Sequence, residues 1–153
     1  MIRGKPEETM RSTTFACLAF LLVAPGWEPA AWGEAPKWVL IDENQGSSYF
    51  FNAGEAKPPK AGLVQVTTRV VYTDEGKREA LKMLATDGKL ANLYETRYHH
   101  EIDCDDMESR LLDVTHLDRQ GGTLRYTNVS QLTDWEPVAP QARMSLVAAL
   151  ACR

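Results

Sequence analysis

Cys104 and His100 stand two same-face positions apart on an alternating stretch, the minimum arrangement for thiol chemistry. If Cys104 is reduced, its sulfur is a nucleophile with His100 as the base beside it. A second constellation overlaps the first. His99 and His100 precede Glu101, Asp103, Asp105, Asp106 and Glu108, which invites a metal reading. Neighbouring residues on a strand point to opposite faces, so His99 and His100 do not share one ion. A calcium loop needs oxygens at regular alternate positions and a glycine at its sharp turn. Cys104 and Met107 interrupt the oxygens here, and the segment has no glycine. The acidic run therefore reads as a solvated turn, and neither a metal nor a cofactor is expected. His116 alternates with Leu112 and Val114 and reads as a core or edge histidine. The chain has no Gly-x-Ser-x-Gly elbow, phosphate loop or dinucleotide fingerprint. Asn128-Val129-Ser130 matches the glycosylation triplet, a match frequent by chance.

The redox state of Cys104 decides whether the thiol reading survives. Residues 15–24 are a ten-residue apolar run followed by Pro25-Gly26. A membrane span needs about 20 apolar residues, whereas the apolar region of a secretory signal has about 7–15. The run has no polar face and a breaker ends it at once, which disfavours a buried helix. Residues 1–33 are expected to be a signal peptide, cleaved after Ala31-Trp32-Gly33. Glu7 and Glu8 do not suit the positive end of a signal, so Met10 is the better start; N-terminal sequencing of the precursor tests this. Cys17 lies inside the run, not after it, so lipidation is not expected. Cleavage removes Cys17 and leaves Cys104 and Cys152. An exported chain with one remaining pair is expected to join them in a disulfide. Export thus disfavours the Cys104–His100 enzyme, whose signature would be a titratable free thiol.

The net charge is −4, and losing residues 1–33 removes three basic and three acidic residues, so it stays there. A mildly acidic chain with no basic stripe argues against nucleic acid, whose binding is driven by phosphate neutralisation. It also offers no polybasic patch for anionic lipid. Once the signal is removed, no transmembrane segment is expected. The remaining residues are enough for one domain with its own core.

Residues 34–37 are a short tether before a domain over 38–153. Trp38-Val39-Leu40-Ile41 predicts a first strand and Tyr49-Phe50-Phe51 its return. Leu63 to Tyr72 predicts the longest strand. Val64, Val66, Thr68, Val70 and Tyr72 share its packed face, and Gln65, Thr67 and Arg69 its wet one. Thr73-Asp74-Glu75 caps a helix of about Gly76 to Thr86, with Ala80, Leu81, Leu84 and Ala85 as its apolar stripe. In Tyr94 to Cys104, the set Glu95, Arg97, His99, Glu101 and Asp103 is expected outside, with Cys104 pointing in. Arg110 to Leu117 returns, and Asp118 to Gly122 turns into Thr123 to Thr127. Trp135 to Pro140 is extended, and Gln141 to Ala151 forms a short helix with Met144, Val147, Ala148 and Ala151 on its apolar face. The fold class that follows is α+β: a single antiparallel sheet of five to six strands with short helices packed on one face. A Cys104–Cys152 bridge pins the last helix.

Aromatic residues are favoured at binding interfaces. Trp38, Tyr49, Phe50 and Trp135 are the candidates for an exposed aromatic surface. If the longest strand lies at a sheet edge, a second copy can pair with it as a homodimer.

Several landmarks occur in order. They are Trp38 opening the first strand, Tyr49-Phe50-Phe51, Tyr98 running to Glu101-Ile102-Asp103-Cys104, and the returning Arg110-Leu111-Leu112. Gly121-Gly122, Trp135-Glu136-Pro137-Val138 with Pro140, and the terminal Cys152 complete the set. Together they resemble the bacterial surface-adhesin protein E-like family over residues 37–152. The resemblance implies a six-stranded antiparallel sheet with a C-terminal helix held by a disulfide. It also implies export and, in the founding cases, adhesion to host matrix proteins. Only the cysteine pair carries over residue by residue. The leading expectation is an exported, non-enzymatic binding protein recognising a protein partner, a host matrix or envelope protein, at the cell envelope or surface. The rivals are a periplasmic accessory protein of an envelope complex and a thiol enzyme using Cys104 and His100.

Overall fold

The computed structural model describes residues 36–55, 60–84 and 88–153. The signal peptide expected over 1–33, the first residues of the tether, and Ala85 and Thr86 at the end of the expected first helix lie outside the described residues. Among the described residues, no helix is long and apolar enough to cross a membrane.

Six strands form a meander: β1 (Trp38–Glu43), β2 (Ser47–Asn52), β3 (Leu63–Tyr72), β4 (Glu95–Asp103), β5 (Glu108–Leu117) and β6 (Thr123–Asn128). Each pairs antiparallel with the next, so sheet order equals chain order. A two-residue strand, β7 (Glu136–Pro137), pairs with Glu108 and Ser109 at the start of β5. The architecture is the expected single antiparallel sheet with two short helices. The position of β3 is not the one entertained for dimerisation. β3 lies inside the sheet, paired with β4 along Leu63–Val71 and with β2 over Thr68–Tyr72, so it is not an edge strand. The outer strands are β1 and β6.

The alternation of β3 is realised as read, with Val64, Val66 and Thr68 buried. Cross-strand registers carry that face across the sheet. Val64 pairs with Ile102, Thr68 with Phe51, and Val70 with Tyr49. Helix α2 (Arg143–Ala151) lies on this face and contributes Val147, Ala148 and Ala151 to one cluster with Tyr49, Phe51, Val64, Val66 and Ile102. Met144, Cys104 and Cys152 pack against the same cluster. The Cys104–Cys152 disulfide joins the end of β4 to the end of α2, with Cα atoms 5.6 Å apart.

The two helices contribute unequally. Helix α1 (Asp74–Met83) has no buried residue. It is held by its N-terminus instead. Thr73 caps Gly76 N–H through its Oγ1 and donates that hydroxyl to the Gln45 carbonyl at 2.8 Å in the β1–β2 turn. A β-carbon on Gly76 would overlap the Gly46 carbonyl oxygen, so this contact requires glycine at 76.

Candidate functional site

The face of the sheet opposite α2 was expected to be the wet one. The structure shows it to be organised. Trp38, Phe50, Arg69, Arg97 and Glu95 fall on it by register: Trp38 pairs with Asn52, Phe50 with Arg69, and Arg69 with Arg97. Two like charges directly opposite on paired strands repel. The repulsion is offset by Glu95, which lies two residues before Arg97 on β4. Its carboxylate accepts from Arg97 Nε at 2.7 Å and from Arg69 Nη1 at 3.2 Å. The Arg69 guanidinium stacks over the Trp38 ring at 4.3 Å and over the Phe50 ring at 4.7 Å, and Arg97 reaches Trp38 at 5.7 Å. Each such contact is worth roughly 0.5–2 kcal/mol, depending on how dry it is.

Glu95 is therefore a correction to the sequence reading. Placed outside by alternation, it is only 4% exposed. Alternation places a residue on a face, but it does not show that Arg69 from the neighbouring strand and Arg97 close on its carboxylate. Tyr49 is a second correction. As part of an exposed aromatic surface it would have to face out, yet it is 7% exposed and belongs to the core, on the opposite side from Phe50. Burial raises the pKa of its phenol, and nearby Thr68 and Arg143 oppose the shift.

Trp135 sits toward the other side of the sheet, beyond β5. Arg110 stacks on its ring at 4.8 Å and donates to Glu101 at 2.6 Å and 2.9 Å. Between the two aromatic groups, His99 Nδ1 meets Asp113 Oδ2 at 3.2 Å. Trp38, Phe50 and Trp135, all half-buried, thus share one surface. Arginines hold them in place, and each stacking arginine is itself held by a carboxylate. Sequence reading found the aromatics and missed Arg69, Arg97, Arg110 and Glu95. The available signal was the same-face spacing of Glu95 and Arg97 on one strand, opposite Arg69 on the next.

The thiol constellation resolves differently. The Cys104 sulfur is bonded to Cys152 and is no free nucleophile in this structure. His99 and His100 do point to opposite faces, and a register break between β4 and β5 falls between them. His116 is buried, and its Nδ1 meets Thr96 Oγ1 at 2.9 Å, while Tyr72 donates its hydroxyl to the same Thr96 at 3.1 Å. Among the described residues, no three metal-binding side chains come together.

His100 gives a pH prediction. It packs beside the Tyr98 ring with centroids 6.3 Å apart. Burial and the neighbouring His99 push its pKa down to about 4, with Asp113 opposing. His116 is lowered as well, by burial and by Arg125. A histidine held neutral by the fold leaves the folded state unaffected above its unfolded pKa of about 6.5. As pH falls below that value the unfolded chain takes up the proton first, so stability is lost until the folded form also protonates near pH 4. For His100 the loss reaches about 3 kcal/mol at pH 4. Urea unfolding of wild type and His100→Gln at pH 7.5 and pH 4 measures it. The variant is expected to lose markedly less stability on acidification.

No curated protein and no solved structure matches the chain. A family profile described as Surface-adhesin protein E does, over residues 38–153, the span that contains the described strands and helices, the disulfide and the arginine-held aromatic face. The chain belongs to the surface-adhesin protein E family.

Proposed function

We propose that the protein is an exported, non-enzymatic adhesin-like protein that holds a protein partner across the sheet face opposite α2. The observation that carries this reading is the immobilisation of Trp38, Phe50 and Trp135 on one surface by arginine–carboxylate pairs. Rigid aromatics and arginines are the residue types that dominate protein interfaces, because they bring contact area with little side-chain entropy left to lose. The family supports a surface location and a protein partner. A host matrix protein is the partner we expect, with an envelope protein as the alternative.

The test is binding of the purified, oxidised protein to immobilised matrix proteins and to whole host cells. Trp135→Ala and Trp38→Ala are each expected to weaken binding at least tenfold, the loss typical of an interface anchor. Arg97→Gln, a change at a half-exposed side chain, provides a variant that keeps the rings. Leu132→Ala, at an exposed site, is expected to change nothing. Absence of any binding, or binding unaffected by all three surface changes, would refute the reading. Co-purification with an envelope protein from a soluble periplasmic pool would replace adhesion with the accessory role.

A further inference from the structure

A cleft of about 390 Å³ opens at one end of the sheet, away from the aromatic face. Its size is at the lower end of the range for small-molecule sites. Three strand-end segments lie side by side there: the Tyr72 N–H donates to the Tyr94 carbonyl, and the Tyr94 N–H to the Leu117 carbonyl. Two tyrosines, Tyr72 and Tyr94, thus line the cleft from neighbouring segments. The Tyr72 hydroxyl is engaged by the buried Thr96. Arg119 stacks on Tyr94 at 4.9 Å and fixes the second ring.

The walls are polar and electrically balanced. Lys77 and Arg119 supply two positive charges, Asp74 and Asp118 two negative ones. An anion entering the cleft would face both carboxylates, and a cation both basic groups, so neither gains a net Coulomb attraction. Asp118 spends one oxygen on the Gln120 and Gly122 N–H groups, at 2.9 Å and 2.7 Å. No side-chain hydrogen-bond partner holds the Lys77 ammonium or the Asn92 and Gln120 amides among the described residues. The lining therefore offers interleaved donors and acceptors over aromatic rings. A ligand that matches it carries hydroxyls, each both donor and acceptor, around an apolar C–H face.

We propose that this cleft is a saccharide site, sized for a neutral sugar unit stacked on Tyr94 and hydrogen-bonded by Asn92, Gln120 and Lys77. It is separate from the aromatic face and stands or falls independently of the partner assigned there.

The experiment is a chemical-shift titration of the isotope-labelled, disulfide-intact protein. The probes are the methyl glycosides of glucose, galactose, mannose and N-acetylglucosamine, with glycine and inorganic phosphate as ionic comparisons. At least one glycoside is expected to move the amides of Lys77, Asn92, Tyr94 and Gln120 saturably, with a Kd on the order of millimolar for a single ring. The amides of Thr67 and His99, on the aromatic face, should stay still. Tyr94→Ala is expected to weaken that binding at least tenfold. Gln120→Ala, at an exposed loop position, is expected to weaken it several-fold with the rest of the spectrum unchanged. The proposal is overturned by silence from all four glycosides, by shifts that persist undiminished in both variants, or by glycine or phosphate moving these amides where sugars do not.

Discussion

Replacing Cys104 and Cys152 together by serine is expected to remove about 4 kcal/mol of stability. The bridge spans 48 residues of chain, and in the chain-entropy account a loop of that length restricts the unfolded state by about this amount. A domain of this size has a total stability of about 5–15 kcal/mol, so the loss is a large share of it. With roughly 2 cal/mol/K of unfolding entropy per residue, the midpoint should fall by on the order of 15 °C. The loss should be local first. Helix α2 has nine residues, too short to hold itself, and its N-cap position, Ala142, has no side-chain cap. What remains after the bridge is cut includes the burial of Val147, Ala148 and Ala151, the packing of Met144, and the Arg143 Nε to Asp42 contact at 2.7 Å. Hydrogen exchange is therefore expected to show α2 opening below the global unfolding energy in the double variant, while β3 and β4 stay protected. An unchanged midpoint, with α2 protected as in wild type, would show that core burial alone fixes the helix. The native protein should show no alkylatable thiol at Cys104 or Cys152.

The strands were legible because one face of each had to be apolar. In β3 the alternation of Val64, Val66 and Thr68 against Gln65, Thr67 and Arg69 sets both the element and its facing. In α2, Val147, Ala148 and Ala151 share one face, and the cysteine just past it states where that end must go. The failures share one cause. Period-2 reasoning assigns a side but not what neighbouring strands place on it. Phe50 and Tyr49 are adjacent aromatics of similar size, and only the register with β3 sends Phe50 to Arg69 and Tyr49 to Val70. Glu95 looks solvated in its own strand, yet it is buried with Arg69 of β3 and Arg97 on its carboxylate. Likewise, the candidate edge at β3 disappeared because edge status depends on sheet order, which strand length does not determine. The outer strands of the sheet are β1 and β6.

Glu95→Ala is expected to cost about 3–4 kcal/mol, more than any other single change on the aromatic face. Its carboxylate is nearly inaccessible and is the counterion shared by two arginines that face each other across β3 and β4. Breaking a buried pair by removing one partner leaves an uncompensated charge, and that residual charge sets the cost. The two arginines should not respond alike. Arg97 has a side chain 41% exposed and can turn into water. Arg69 is 22% exposed, lies against both Trp38 and Phe50, and has an Nε with no acceptor, so it is the stranded group. Removing Arg69 as well should therefore recover stability: Glu95→Leu with Arg69→Leu is expected to be close to wild type, since replacing a buried pair by apolar residues is often neutral. Denaturant midpoints of Glu95→Leu, Arg69→Leu and the double variant give the coupling directly. If the singles are each mild and simply add, Glu95 is not the counterion of this cluster. The same set separates stability from binding. The double variant restores the fold but removes the guanidinium that clamps Trp38, so it should remain weak toward the protein partner. An apolar double variant that binds as wild type does would mean that the rings, without their arginine, are sufficient for recognition.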